Sequence, residues 1–281
     1  VVFENRVRGV IARRWAYDVL PSLMELIRIR AVSPAYDSNW FERDELWDAA
    51  DHVREWIARH GMVAEVVQLP GRTPLVVAEA GGRDDRGTVV VYGHLDTVPS
   101  PGFGRWRAVL RDGRLYGRGA ADDGYAGYAA VTALAVSRDH ERTVLLLETG
   151  AESGSPDLDV YLTALAGRLG DVSLVIGLDG AAAGYERWWL TTRATPDSWL
   201  LPALAGIGAR VFGRPCGVAG ADGGGGPADM LARRYPDARH VVTGAAGPDS
   251  NTHARDESLN LAYAYRVTES LALLLEAHAR G

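Results

Sequence analysis

Along the chain, short apolar runs without periodicity alternate with longer stretches whose apolar residues recur every three or four positions. The clearest run is Val89-Val90-Val91-Tyr92, closed by Gly93. Four consecutive apolar, mostly β-branched residues bounded by glycine predict a strand buried on both faces. Thr143–Glu148 and Ser173–Leu178 read the same way, and further strands are expected over Ala64–Leu69, Leu75–Ala78, Arg187–Thr192 and His240–Thr243. Asp112-Gly113 predicts a hairpin turn between Ala108–Arg111 and Arg114–Tyr116. Helical spacing marks Trp15–Ile29, where Leu20, Leu23, Leu26 and Ile27 recur, and Glu42–His60, with Gly61 as its stop. Tyr125–Ser137, Leu158–Leu169, Ser198–Val211, Ala228–Arg233 and an amphipathic Leu261–His278 complete the helices. Strands alternating with helices predict a three-layer α/β/α sandwich around a mixed, mostly parallel sheet. No internal repeat or linker interrupts the 281 residues, so a single domain over 1–281 is expected.

Composition narrows the function more than the fold. The apolar fraction of 47% and charged fraction of 23% are those of an ordinary globular protein. A net charge of −6 without any basic block argues against nucleic-acid or membrane-surface binding. Every basic residue is Arg, which rules out a lysine nucleophile or Schiff base. Cys216 is the only cysteine, so a disulfide within the chain and thiolate metal sites are excluded. No run is long enough to span a membrane and no signal-peptide layout is seen at the start; a cytoplasmic enzyme is the expectation.

The candidate chemistry sits where strands end. His94 and Asp96 follow the central strand with one residue between them, and residues two apart in extended backbone share a face. Open α/β sheets place their ligands at such carboxyl ends. A metal-binding His steadied by a carboxylate is one use of the pair, and a surface His beside a turn-forming Asp is the other. Asp122 with Asp123 follows a glycine-rich turn, Glu152 and Asp179 each follow a buried strand, and His253 lies in a late loop. Singly these residues read as well as a helix N-cap pair, a solvated carboxylate, a strand-end turn and a satisfied loop histidine. Together, two imidazoles and three carboxylates without a thiolate suit Zn²⁺, with Mn²⁺ or Co²⁺ as substitutes. Five ligands exceed one catalytic zinc with an open position and suit two metals sharing a carboxylate. His52, His60, His140, His240 and His278 fall outside this pattern and are expected at the surface.

The chain resembles the M20 family of metallopeptidases, in particular its carnosinase-like dipeptidase branch. The resemblance rests on Gly93-His94-Leu95-Asp96, Leu115-Tyr116-Gly117-Arg118-Gly119 with Ala121-Asp122-Asp123-Gly124, Glu152-Ser153-Gly154-Ser155, Leu178-Asp179 and Gly247-Pro248-Asp249-Ser250-Asn251-Thr252-His253. It implies two zinc ions, one held by His94 and Asp179, the other by Glu152 and His253, with Asp122 bridging. Asp96 would orient His94, the Asp122–Asp123 peptide would be cis, and a dipeptide or similar small amide would be hydrolysed. An N-acyl amino acid or a biosynthetic intermediate is the alternative substrate, and a non-catalytic, metal-containing peptide-binding protein is the alternative of another class.

Three departures bear on that reading. The family pairs two glutamates where this chain has Ala151-Glu152, and the missing carboxylate is the general base. A positioned base contributes roughly 100- to 10,000-fold, so the chain as written is expected to be largely inactive. Glu148, three residues earlier, is expected to point elsewhere. The family also inserts a lid domain after the strand ending at Thr192, whereas this chain passes directly to Arg193, leaving 1–192 and 193–281 as halves flanking a missing insertion. A homodimer is expected only with that lid. Finally, Gly225 stands where carnosinase-like relatives have a substrate-binding serine; Gly224, Gly225 and Asn251 are the candidate substrate contacts.

Overall fold

The computed structural model describes residues 2–99, 106–193, 199–218 and 226–281. The first half contains α1 (Val2–Arg14), α2 (Leu20–Leu26), α3 (Glu45–Arg59), β1 (Val63–Val67), β2 (Leu75–Ala80), β3 (Thr88–His94), β4 (Val109–Arg111), β5 (Arg114–Tyr116) and α4 (Ala126–Val136). Then come β6 (Thr143–Glu148), α5 (Leu158–Ala164), α6 (Ala166–Leu169), β7 (Val172–Gly177), β8 (Trp189–Arg193) and α7 (Leu200–Phe212). The chain closes with β9 (Gly217–Val218), α8 (Pro227–Arg234), β10 (Arg239–Thr243), β11 (Ser258–Asn260) and α9 (Leu261–Arg280).

The main sheet has the order β1-β2-β6-β3-β7-β10-β8-β9. Its centre is parallel from β6 through β3 and β7 to β10, flanked by antiparallel β1, β2 and β8. Alternation along β3 divides the core in two, because successive side chains leave a strand on opposite faces. Val89 and Val91 join a cluster with α1–α4, α7 and α9, whereas Val90 and Tyr92 join one with α5, α6 and α8. This is the expected α/β/α sandwich. Three fully buried tryptophans, Trp15, Trp56 and Trp188, anchor the larger cluster, and burying a large apolar side chain contributes about 1.5–3 kcal/mol.

Three expectations are corrected. The first helix begins at Val2, not Trp15, and reaches Leu26 through a π turn at Trp15–Val19, in which the Leu20 N–H bonds to the Trp15 carbonyl. Pro21 follows at once; its ring would clash with the carbonyl four residues back and it has no N–H to offer, so a wider turn relieves both faults. A short strand absent from the reading, β11, pairs antiparallel with β5, which in turn pairs with β4. His240 and His278 are not at the surface: they are only 7% and 3% exposed. His278 lies on the face of α9 that packs on its neighbours, its Nε2 is 3.0 Å from Ser173 Oγ, and burial lowers its pKa to about 4.

What matters for the site is that β6, β3 and β7 are adjacent and run the same way. Their carboxyl ends therefore open onto one edge of the sheet, and α4 starts beside it. The ladder between β5 and β11 brings a late loop to the same place.

Candidate metal centre

His94 is the last residue of β3 and is buried. Gly93 lets α4 approach it: a Cβ there would lie 2.6 Å from Asp123 Oδ2 and 2.7 Å from the Ala126 methyl. Asp122 and Asp123, joined by a cis peptide as expected, lead into that helix. Asp123 Oδ2 accepts the His94 N–H at 3.2 Å, so the second aspartate holds the backbone of β3. Glu152 lies in the 3₁₀ turn Ala151–Ser153 after β6, and Asp179 lies just past β7. His253, in left-handed backbone at φ 60°, comes from the loop before β11.

All five candidate ligands converge. His94, Asp122 and Asp179 offer donor atoms within 4.8 Å of one another, and so do Asp122, Glu152 and His253. Asp122 belongs to both groups through different oxygens: Oδ1 is 3.6 Å from His94 Nε2, and Oδ2 is 2.8 Å from His253 Nε2. Glu152 Oε1 is also 2.8 Å from His253 Nε2, and Asp179 Oδ1 is 3.9 Å from His94 Nε2. A pair of borderline or hard divalent cations fits this donor set, each meeting one imidazole nitrogen and carboxylate oxygens, with Asp122 in common.

Asp96 does more than face the histidine. Its Oδ1 lies 3.5 Å from His94 Nδ1, but that nitrogen is nearer the Asp96 carbonyl, at 3.0 Å. The carboxylate accepts the N–H groups of Ala151 and Glu152 at 3.1 and 3.0 Å. One residue thus aims His94 and anchors the turn that presents Glu152. Ser153 is pinned from the other side by Ser33 Oγ at 2.6 Å and the Ala35 N–H at 2.8 Å. Ala151 is half-buried at the start of this turn. Glu148, at the end of β6, accepts the hydroxyls of Tyr92 and Ser155.

Crowded charge leaves its mark on these groups. Burial drives the Glu152 carboxyl up to about 7, with the Asp122 charge adding to it. Burial and the Asp122 charge also raise Asp179, though His94 opposes the shift. Burial acts against ionised Asp122 too, but the two imidazoles outweigh it and hold its carboxyl well below the ordinary range. His253 rises to about 9, chiefly through its hydrogen bond to Asp122. For His94, burial lowers the pKa, yet Asp122 and Asp96 carry it well above the ordinary value.

Glu257 is not legible in the sequence, and Arg118 is legible only as part of a motif, without a role. Glu257 and Arg118 form a buried ion pair beneath the loops of Asp122 and His253. An acid in an irregular loop whose partners are mostly backbone amides has no sequence signature; only recognition of the short strand β11 would have shown that Glu257 points inward. Among the expected substrate contacts, Asn251 is exposed in left-handed backbone at φ 52°, and its carbonyl accepts the Ala254 N–H at 3.0 Å. Gly224 and Gly225 lie outside the described residues.

Known proteins resemble this chain in sequence and in fold. The model of peptidase family M20/M25/M40 matches residues 90–277. A succinyl-diaminopimelate desuccinylase of Acidiphilium cryptum is 37% identical over 143 residues, which are 49% of this chain and 34% of that protein. Human beta-Ala-His dipeptidase is 35% identical over 96 residues, 31% of this chain and 19% of that protein. The matched stretch thus spans about a third or less of these relatives' length. Human carnosine dipeptidase 1 superposes with a TM-score of 0.83 at 13% identity, covering 99% of this chain and 100% of that one. The dipeptidase Dug1p of Saccharomyces cerevisiae gives 0.82 at 13% identity, covering 98% of each. At that identity the likeness is one of fold.

Proposed function

The chain belongs to peptidase family M20/M25/M40, and on that premise we propose that it is a single-domain, two-metal amide-hydrolase scaffold for dipeptide-sized substrates, lacking its general base at Ala151. The observation that carries the reading is the division of Asp122, one oxygen toward His94 and the other toward His253. His94 and Asp179 would hold one zinc, Glu152 and His253 the other, with Asp122 between them and Mn²⁺ or Co²⁺ as substitutes. Bound there, the pair would supply Lewis-acid polarisation of a scissile carbonyl and a nucleophilic water at neutral pH.

The chain's own residues supply the frame. Asp96 sets the ring of His94 and the turn of Glu152 at once. The methyl group of Ala151 can neither accept a proton from water nor return one to a leaving amine. Glu148 is a poor replacement, because its carboxylate is engaged by Tyr92 and Ser155 within the core. Asn251 and the glycines at 224 and 225 are the proposed contacts for a substrate carboxylate.

The human dipeptidase among the relatives supports a dipeptide as the substrate class, and the desuccinylase supports an N-acyl amino acid. Ala151 itself favours the reading of another class, a metal-containing protein that holds a peptide without cutting it. No described helix is long and apolar enough to cross a membrane; a cytoplasmic location remains part of the proposal, as does dimerisation dependent on a lid domain.

The test is Ala151→Glu, loaded with zinc and assayed on dipeptides and on N-acyl amino acids. Ala151 is half-buried rather than enclosed in the core. Metal-dependent hydrolysis roughly 100- to 10,000-fold above the starting chain is expected, and the preferred substrate set separates the two classes. A fully metallated but inert variant defeats the enzyme reading and leaves the binding protein.

A further inference from the structure

The loops that carry Asp122 and His253 lie far apart in sequence, and neither ligand sits in a strand or helix, yet their side chains meet at 2.8 Å. A buried pair explains how. Arg118 and Glu257 have side chains only 3% and 1% exposed and are joined at 2.6 Å. Glu257 Oε1 accepts the N–H groups of Ala121 and Asp122 at 3.0 and 3.2 Å, and Oε2 accepts that of Gly119 at 3.0 Å as well as Arg118 Nη1. Arg118 Nη2 reaches across to the carbonyl of Ala254, the residue after His253, at 2.8 Å. The backbone continues the seam, with the Gly117 N–H donating to the Glu257 carbonyl at 2.9 Å.

We propose that Glu257, with Arg118, is a positioning pair that fixes the distance between the shared carboxylate and His253 and so sets the affinity of the second cation site. This rests on the two-metal reading above. Neither residue contributes a donor atom to the candidate cation clusters; the action runs through the amide of Asp122 and the carbonyl beside His253. A carboxylate is needed because four donors converge on its two oxygens. An amide of the same shape would turn an NH₂ toward donors and leave the Arg118 charge without its counter-charge. Outer partners of this kind typically change metal affinity by 10- to 100-fold.

The experiment titrates the metal-free full chain with Co²⁺ against a competing chelator, following ligand-field absorption, for the starting chain, Glu257→Gln and Arg118→Met. The starting chain should take up two equivalents. In Glu257→Gln, one equivalent should weaken about 10- to 100-fold and its absorption band should change. Arg118→Met keeps the three amide bonds to Glu257 but loses both the ion pair with Glu257 and the tie to Ala254, and it should weaken the same equivalent less. A merely structural ion pair would lower the melting temperature and leave Co²⁺ affinity and spectrum alone; that outcome overturns the proposal. Should Glu257→Gln fail to fold, hydrogen exchange in the metal-free starting chain decides: amides of Gly119, Ala121 and Asp122 protected like the central strands support the pair, and amides exchanging like an open loop overturn it. A starting chain that binds no Co²⁺ removes the two-metal reading itself, a failure distinct from two normal equivalents in Glu257→Gln.

Discussion

Asp122→Asn keeps the side chain's shape and removes one negative charge from a point that two imidazoles share. In the metal-free chain His253 sits at about 9 against an ordinary 6.5, and its hydrogen bond to Asp122 is the largest cause. The contact is short, 2.8 Å, and the ring is half-exposed, so screening by water tempers the effect without removing it. The variant should lower the His253 pKa by at least about one unit, a tenfold weaker hold on the proton. It should stop short of the ordinary value, because Glu152 remains 2.8 Å away. His94 should fall as well, since Asp122 heads the groups that raise it against burial. Proton NMR titration of the ring resonances reads both shifts directly. Stability follows with a fixed sign. A histidine raised from 6.5 to about 9 stabilises the fold fully below pH 6.5, and that contribution is lost as pH rises toward 9. The variant should lose less stability over that window than the starting chain. Zinc uptake should drop from two equivalents to at most one, because both clusters use this carboxylate. An unmoved His253, or two tight equivalents in Asp122→Asn, would refute the idea that one carboxylate serves both sides.

Other outcomes follow from the same coordinates. Glu152, raised from 4.5 to about 7, destabilises the metal-free chain as pH climbs through that range, and His253 continues the trend to about 9. Cations displace those protons, so the zinc-induced rise in melting temperature should grow between pH 6 and 9; scanning fluorimetry in non-chelating buffers would expose a flat or shrinking rise as contrary. Gly93→Ala forces a methyl within 2.6 Å of Asp123 Oδ2 and 2.7 Å of Ala126, and overpacking of that kind costs about 1–3 kcal/mol. Gly177→Ala, whose Cβ would meet only Val242 at 3.5 Å, should be close to neutral when the two variants are compared by urea titration. Equal behaviour of the two variants would contradict the packing argument.

The parts of this molecule that could be read from sequence are those whose physics is local. β3, β6 and β7 announce themselves because strands covered on both faces must be apolar throughout, and a polar ligand just past such a run stands out. The hairpin at Asp112-Gly113 is legible for a similar reason, both residues lying at positive φ. α1 was missed because charged and apolar residues are evenly mixed along Val2–Arg14 and its apolar positions do not form a sustained stripe. β11 was missed because three residues reading Ser-Leu-Asn carry no strand signal apart from their partner. His278 was misplaced because the burial of a helix face depends on what else packs there, and α9 meets α1, α4 and α7. The five candidate ligands were visible as residue types at loop ends, whereas the support beneath them was not. Asp96 clamping the Ala151–Ser153 turn and Glu257 gathering amides are contacts between a side chain and a distant backbone, and nothing in the composition of either partner betrays them.

The two cation clusters differ in when the chain completes them. His94, Asp122 and Asp179 all precede the last hundred residues, whereas the other cluster waits for His253 and for the β5–β11 seam. A chain emerging from the ribosome in order would therefore present at most a single-ion cradle until its final quarter docks. On the two-metal reading, uptake of the second ion would act as a latch on the finished fold rather than a seed for it, and a truncated product would hold at most one ion.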